Sequence, residues 1–187
     1  ASMVVADHRP IAPHMSFYGG ERDHGPSVRE NCALCEKLGI KTSYGGPTLF
    51  HIHGNLVAVM INHEYGIDAT DARQVTVATM RARAEVNDFV DTLSKSDTPF
   101  RGCRLAATAE YIGVREGRRI HGLYTVTRQD LIDGRRHKDA VCRCRFGVDV
   151  HATTPDKHGA GNSKMGSRPS ATISPCVRLS RKTSTAC

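Results

Sequence analysis

Tryptophan is absent from this chain of 187 residues, and only five Phe and five Tyr supply aromatic rings. A core built from it must rest on aliphatic side chains. Acid is absent from the final stretch: residues 157–187 carry six Lys and Arg and no Asp or Glu. The formal charge of +7 therefore sits in that tail, because residues 1–156 hold twenty Lys and Arg against nineteen acids. The tail has no aromatic residue on which a base would stack, so its charge alone supplies no specific nucleic-acid recognition. No apolar run approaches the ~18 residues of a membrane span. The opening "ASMVVADHRP" lacks the basic-then-apolar order of a secretory signal. Seven cysteines, an odd number, make a poor disulfide framework. Reduced thiols in a cytoplasm are the expected state.

An apolar fraction of 39% and a charged fraction of 24% are ordinary for a globular domain. Residues 7–27 are rich in Pro, Gly and His and read as loop. A helix is expected over residues 27–38, with Val28, Cys32, Cys35 and Leu34 or Leu38 on one face and Gly39 as its stop. "LFHIH-GN-LVAVMI" has the form of a hairpin about Gly54–Asn55. Residues 71–95 show helical spacing through Val75, Thr79, Ala82, Val86, Phe89 and Leu93, with Asp71 as the cap and Arg81, Arg83, Glu85 and Asp88 on the polar side. "CRLAATAEYIGV", "RRIHGLYTVT" and "AVCRCRFGVDVH" read as strands; in the last, Cys142, Cys144 and Phe146 alternate with Arg143 and Arg145. Thr127 and Asp130 form a capping pattern ahead of a short helix closed by Gly134. The pattern implies residues 1–155 as one segment of mixed α+β or α/β class, and 156–187 as a basic, disordered tail.

Three sets of residues invite a chemical reading. Cys32 and Cys35 share a helix face, His51 and His53 share a strand face, and four such ligands would suit zinc. "GAGNSK" at Gly159–Lys164 imitates a phosphate loop, but no strand precedes it and its third glycine is missing. "GVREGRRIHGLY" crowds Arg115, Arg118 and Arg119 around Glu116. Guanidinium groups favour bidentate pairing, with Glu116 as the internal partner and a carboxylate or phosphate as the external one.

The run from Leu105 to His151 resembles a family of FAD-dependent oxidoreductases, grouped through their flavin domain with heterodisulfide reductase A-like flavoproteins. The resemblance rests on Thr108–Tyr124, Thr127–Asp130 and Asp149–His151, and upstream on "NHEYGIDATDARQVT" and "SYGGPTLFHIHGN". It implies FAD as cofactor and hydride transfer between flavin and a small-molecule substrate. It also implies a substrate-side segment of strands and helices, part of a larger FAD fold. Arg115, Glu116, Arg118 and Arg119 are then a clamp at the substrate–flavin boundary, and Tyr124 and His151 are candidates for proton transfer. Relatives of the wider group carry iron–sulfur clusters, but the cysteine spacing here does not supply four ligands.

The G-x-G-x-x-G that such proteins use to seat the pyrophosphate is missing from this sequence. Residues 171–187 can also be written in codons whose shifted frame reads Y-D-I-P-L-R-A-L-V-A-K-D-V-D-G-L, the family's own continuation. The resemblance thus implies a fragment whose tail is frameshifted from a point within Lys164–Ala171.

Overall fold

The computed structural model describes residues 1–20, 24–115, 117, 118, 122, 124–138 and 154. The chain divides into two compact units, Ala1–Gly117 with Ala152–Gly159 and Arg118–His151 with Ala160–Cys187, and each is described by itself.

The first unit is built on a four-stranded sheet of order β2-β3-β1-β4, antiparallel at every strand pair. β2 (Thr48–His53) and β3 (Leu56–Met60) form the expected hairpin, with Gly54 in the left-handed region at φ 52°. β1 (Ser2–Val4) lies between β3 and β4 (Arg104–Ala107). Three residues are too few to show alternation, so β1 was not legible from its own sequence. The strand-like run 103–114 yields only the four residues of β4. The sheet is antiparallel and the fold is α+β, so the α/β alternative does not hold for the described residues.

α1 (Gly25–Leu38) and α2 (Ala72–Lys95) complete this unit. α2 starts where expected, because the Asp71 carboxylate accepts from the Arg73 and Gln74 amides. Of its buried residues Ala78, Val86, Phe89, Val90 and Leu93, the last four join Met3, Leu49, Val57, Val59 and Phe100 in one core. Full burial of each such side chain contributes about 1.5–3 kcal/mol. α1 ends at Gly39, left-handed at φ 67°, whose N–H meets the Cys35 and Glu36 carbonyls. Its buried face differs from the one expected: Ser27, Asn31 and Cys35 are inside and Cys32 is exposed. The cause is Asn31, which donates to the His14 and Pro47 carbonyls. A satisfied polar residue thus takes the centre of a face that apolar spacing would have assigned to Val28 and Cys32.

In the second unit, Thr127 and Asp130 form the expected capping box and Gly134, at φ 59°, closes α3 (Arg128–Asp133). The described residues of "RRIHGLYTVT" are not in a strand. "AVCRCRFGVDVH" and the 155/156 boundary lie outside the described residues. No described helix is long and apolar enough to cross a membrane.

Candidate functional site

Two loops of the first unit are drawn together by one carboxylate. Glu85, half-buried on α2, accepts from the Ser43 amide at 2.7 Å, from Ser43 Oγ at 2.7 Å and from Asn62 Nδ2. Asn62 Nδ2 also donates to Ser43 Oγ at 2.9 Å, and the His63 amide donates to the same hydroxyl at 2.9 Å. Arg81 pairs with Glu64 at 3.1 Å. A charged acceptor with this many donors makes each hydrogen bond stronger than a neutral one. The result is a fixed presentation of three rings: Tyr44 and His63 lie 4.4 Å apart between centroids, and Tyr65 meets His63 edge-on at 6.1 Å. Ser43 and Tyr44 come from "SYGG", and Asn62 to Tyr65 from "NHEY".

Glu85 was expected on the outer, polar side of α2. Its register gives it away: Ala78, Ala82, Glu85 and Phe89 follow steps of four, three and four, so an acid occupies an inward-facing row. That is the sequence signal that would have found this cluster.

In the second unit, the buried carboxylate of Asp130 collects another set of donors. Tyr124 Oη donates at 2.5 Å, the Thr127 amide and hydroxyl at 2.8 Å, and Arg135 Nη1 at 3.0 Å. The Tyr124 hydrogen bond, followed by those from Thr127, holds the Asp130 carboxyl well below the usual carboxylate range. The same bond to Asp130 pushes the Tyr124 phenol up. Arg135 also donates to Tyr124 Oη at 3.1 Å and lies over its ring. In this arrangement the Tyr124 hydroxyl is one of the donors that Asp130 gathers. His137 packs edge-on to Tyr124 at 4.9 Å with its Nε2 buried and unpartnered.

Of the arginine clamp, Arg115 and Arg118 are exposed, while Glu116 and Arg119 lie outside the described residues, as does His151. The zinc alternative is not supported. A register shift between His51 and His53 breaks the alternation that would align those two rings on one strand face. His51 instead bonds the Gly54 carbonyl at 2.8 Å and stacks on His8. Among the described residues no group of three or more His, Cys, Asp or Glu is placed to hold a metal.

The sequence model of the family described as FAD dependent oxidoreductase matches residues 30–174, more than half of the chain. The chain belongs to that family. Its cofactor is FAD, and the matched stretch contains both loops of the Glu85 cluster and the whole Asp130 cluster. No curated protein and no solved structure matches the chain.

The described residues do not fit the pyrophosphate of FAD. That group needs a strand, a glycine-rich turn and an open helix N-terminus. The N-termini of α2 and α3 are taken by Asp71 and by the Thr127–Asp130 box, each placing a carboxylate where a phosphate would sit. α1 begins Gly25–Pro26, and Pro26 brings no N–H. None of these helices follows a strand across a glycine-rich turn.

Proposed function

We propose that this chain is the substrate-side segment of an FAD-dependent oxidoreductase, of the kind grouped with heterodisulfide reductase A-like flavoproteins. Its reaction class is hydride transfer between a small-molecule substrate and flavin. The observation that carries the reading is the family match over residues 30–174 together with a clamp, Ser43–Asn62–Glu85, built from two loops inside that match. The chain's own part is positional. Glu85 fixes the two loops, the loops present Tyr44, His63 and Tyr65 on one side, and Arg81 holds Glu64 in place. Arg115, Glu116, Arg118 and Arg119 are assigned to the boundary between substrate and flavin, with anion pairing as their role.

The compartment is the cytoplasm, in keeping with an odd number of cysteines and with the free thiols of Cys32, Cys35 and Cys103. The tail is a frameshifted copy of the family's C-terminal sequence, which sequencing of the gene checks directly: a second frame unrelated to Y-D-I-P-L-R-A-L removes the idea.

Titration of the purified chain with FAD, followed by flavin fluorescence, tests the redox reading. A saturable change that is weak enough to be lost on desalting is expected. A signal that stays linear to high FAD overturns the assignment of a flavin-facing role to this chain.

A further inference from the structure

α1 carries two thiols one turn apart in opposite surroundings. Cys32 is exposed, Cys35 is only 7% exposed, and both are free. Residues three apart on a helix place their Cβ atoms about 5–6 Å from each other, whereas a disulfide needs about 3.5–4.5 Å. The pair is therefore within about 1–2 Å of bonding geometry, a distance that a local tightening of the helix turn supplies. Burial pushes the Cys35 thiol up to about 11, with Cys32 as a second, smaller cause, so Cys32 is the sulfur that reacts first. Cys32 also touches the loop that carries Ser43, because its Sγ lies 3.9 Å from the carbonyl of Gly45, two residues on.

We propose that Cys32 and Cys35 are an oxidisable dithiol, closed to a disulfide by hydrogen peroxide, and that closure loosens the Ser43–Glu85 clamp. The Cys32 thiolate attacks one peroxide oxygen, the O–O bond breaks, and Cys32 becomes a sulfenic acid while hydroxide leaves. Cys35 sulfur then attacks Cys32 sulfur and displaces the second oxygen as water. Two thiols give up two electrons and two protons, and peroxide becomes two waters. A bond drawn across one helical turn is strained, so ordinary thiols reverse it. As Cys32 turns inward its contact with Gly45 is lost, and the loop carrying Ser43 is released on that side. The inference stands on the thiols and the clamp, and does not depend on flavin binding.

Trypsin isolates the pair in one peptide, Glu30–Lys37, which contains no other cysteine. The full chain is treated with hydrogen peroxide, alkylated, digested and weighed, with amide exchange at Ser43 and His63 followed in parallel. The expected peptide is two hydrogens lighter than its reduced form and carries no alkyl group. Exchange at both amides rises roughly tenfold and returns on adding dithiothreitol. A Cys35→Ser chain should stop at a Cys32 sulfenic acid that dimedone traps. Both cysteines still alkylating after peroxide, or Cys32 joined to a different cysteine, overturns the proposal. A disulfide that forms with exchange at Ser43 and His63 unchanged overturns the link to the site.

Discussion

In residues 1–117, Met3, Leu49 and Val57 of the sheet and Leu93 of the long helix pack with Phe100 into one apolar core, and the polar clamp is built on Glu85 of the same helix. In residues 118–138, Asp130 is the one buried residue among those described, and four donor groups around its carboxylate do the ordering. The first region draws on a non-directional force that scales with buried area; the second draws on directed hydrogen bonds to a charge. The difference bears on where chemistry is placed. Both carboxylates organise loops, but Glu85 does so beside a core of apolar contacts that it does not itself supply. Asp130 is itself the scaffold, with Tyr124 as one of its donors.

The largest effect should come from the core. Leu93→Ala is expected to cost about 2–5 kcal/mol, read as a lower urea midpoint with faster exchange through α2 and the sheet. A loss under about 1 kcal/mol would show that the apolar core does not dominate this region. Next, Glu85→Ala should cost about 1–3 kcal/mol by leaving Ser43 and Asn62 without their acceptor. Exchange at Ser43 and His63 should rise while the α2 core amides stay protected. Glu85→Gln, which keeps one acceptor oxygen, should fall between the unchanged chain and Glu85→Ala.

Smaller still, Thr127→Ala should cost about 1 kcal/mol, confined to the exchange of α3. The Asp130 region also carries a pH signature that the apolar core lacks. The Asp130 carboxyl is depressed in the folded state, so its contribution is complete above the unfolded value of about 4 and is lost as pH falls below it. The Tyr124 phenol is raised, so its contribution is complete below about 10 and is lost as pH climbs through the folded value. Protection of the α3 amides should therefore hold across that window and fall at both ends. Protection that ignores pH below 4 would contradict the assignment of Asp130 as the organising group.

Much of this was legible in the residues. Asp71, Thr127, Asp130, Gly39 and Gly134 announced helix ends because capping and left-handed closure are local and depend on one or two side chains. The 48–60 hairpin was legible for the same reason. Non-local features were not. β1 is too short for a period, and its pairing with β3 and β4 joins segments about fifty and a hundred residues away. Asn31 on the buried face of α1 is explained only by carbonyls at His14 and Pro47, and Glu85 only by Ser43 and Asn62. The zinc reading failed on a bulge, since one shifted residue in β2 separates histidines that strict alternation would have aligned. The arginine cluster was conspicuous by composition, and Arg115 and Arg118 are both exposed.

On the reading proposed above, the described architecture serves the substrate side of a flavin reaction and holds no pyrophosphate. Parallel titrations of the chain with FAD and with riboflavin, which lacks the phosphates and adenosine, test this most directly. Equal and weak saturable binding of the two is expected, because nothing in the described residues distinguishes them. FAD binding a hundredfold or more tighter than riboflavin, about 2.7 kcal/mol, would contradict it by revealing a pyrophosphate seat on this chain.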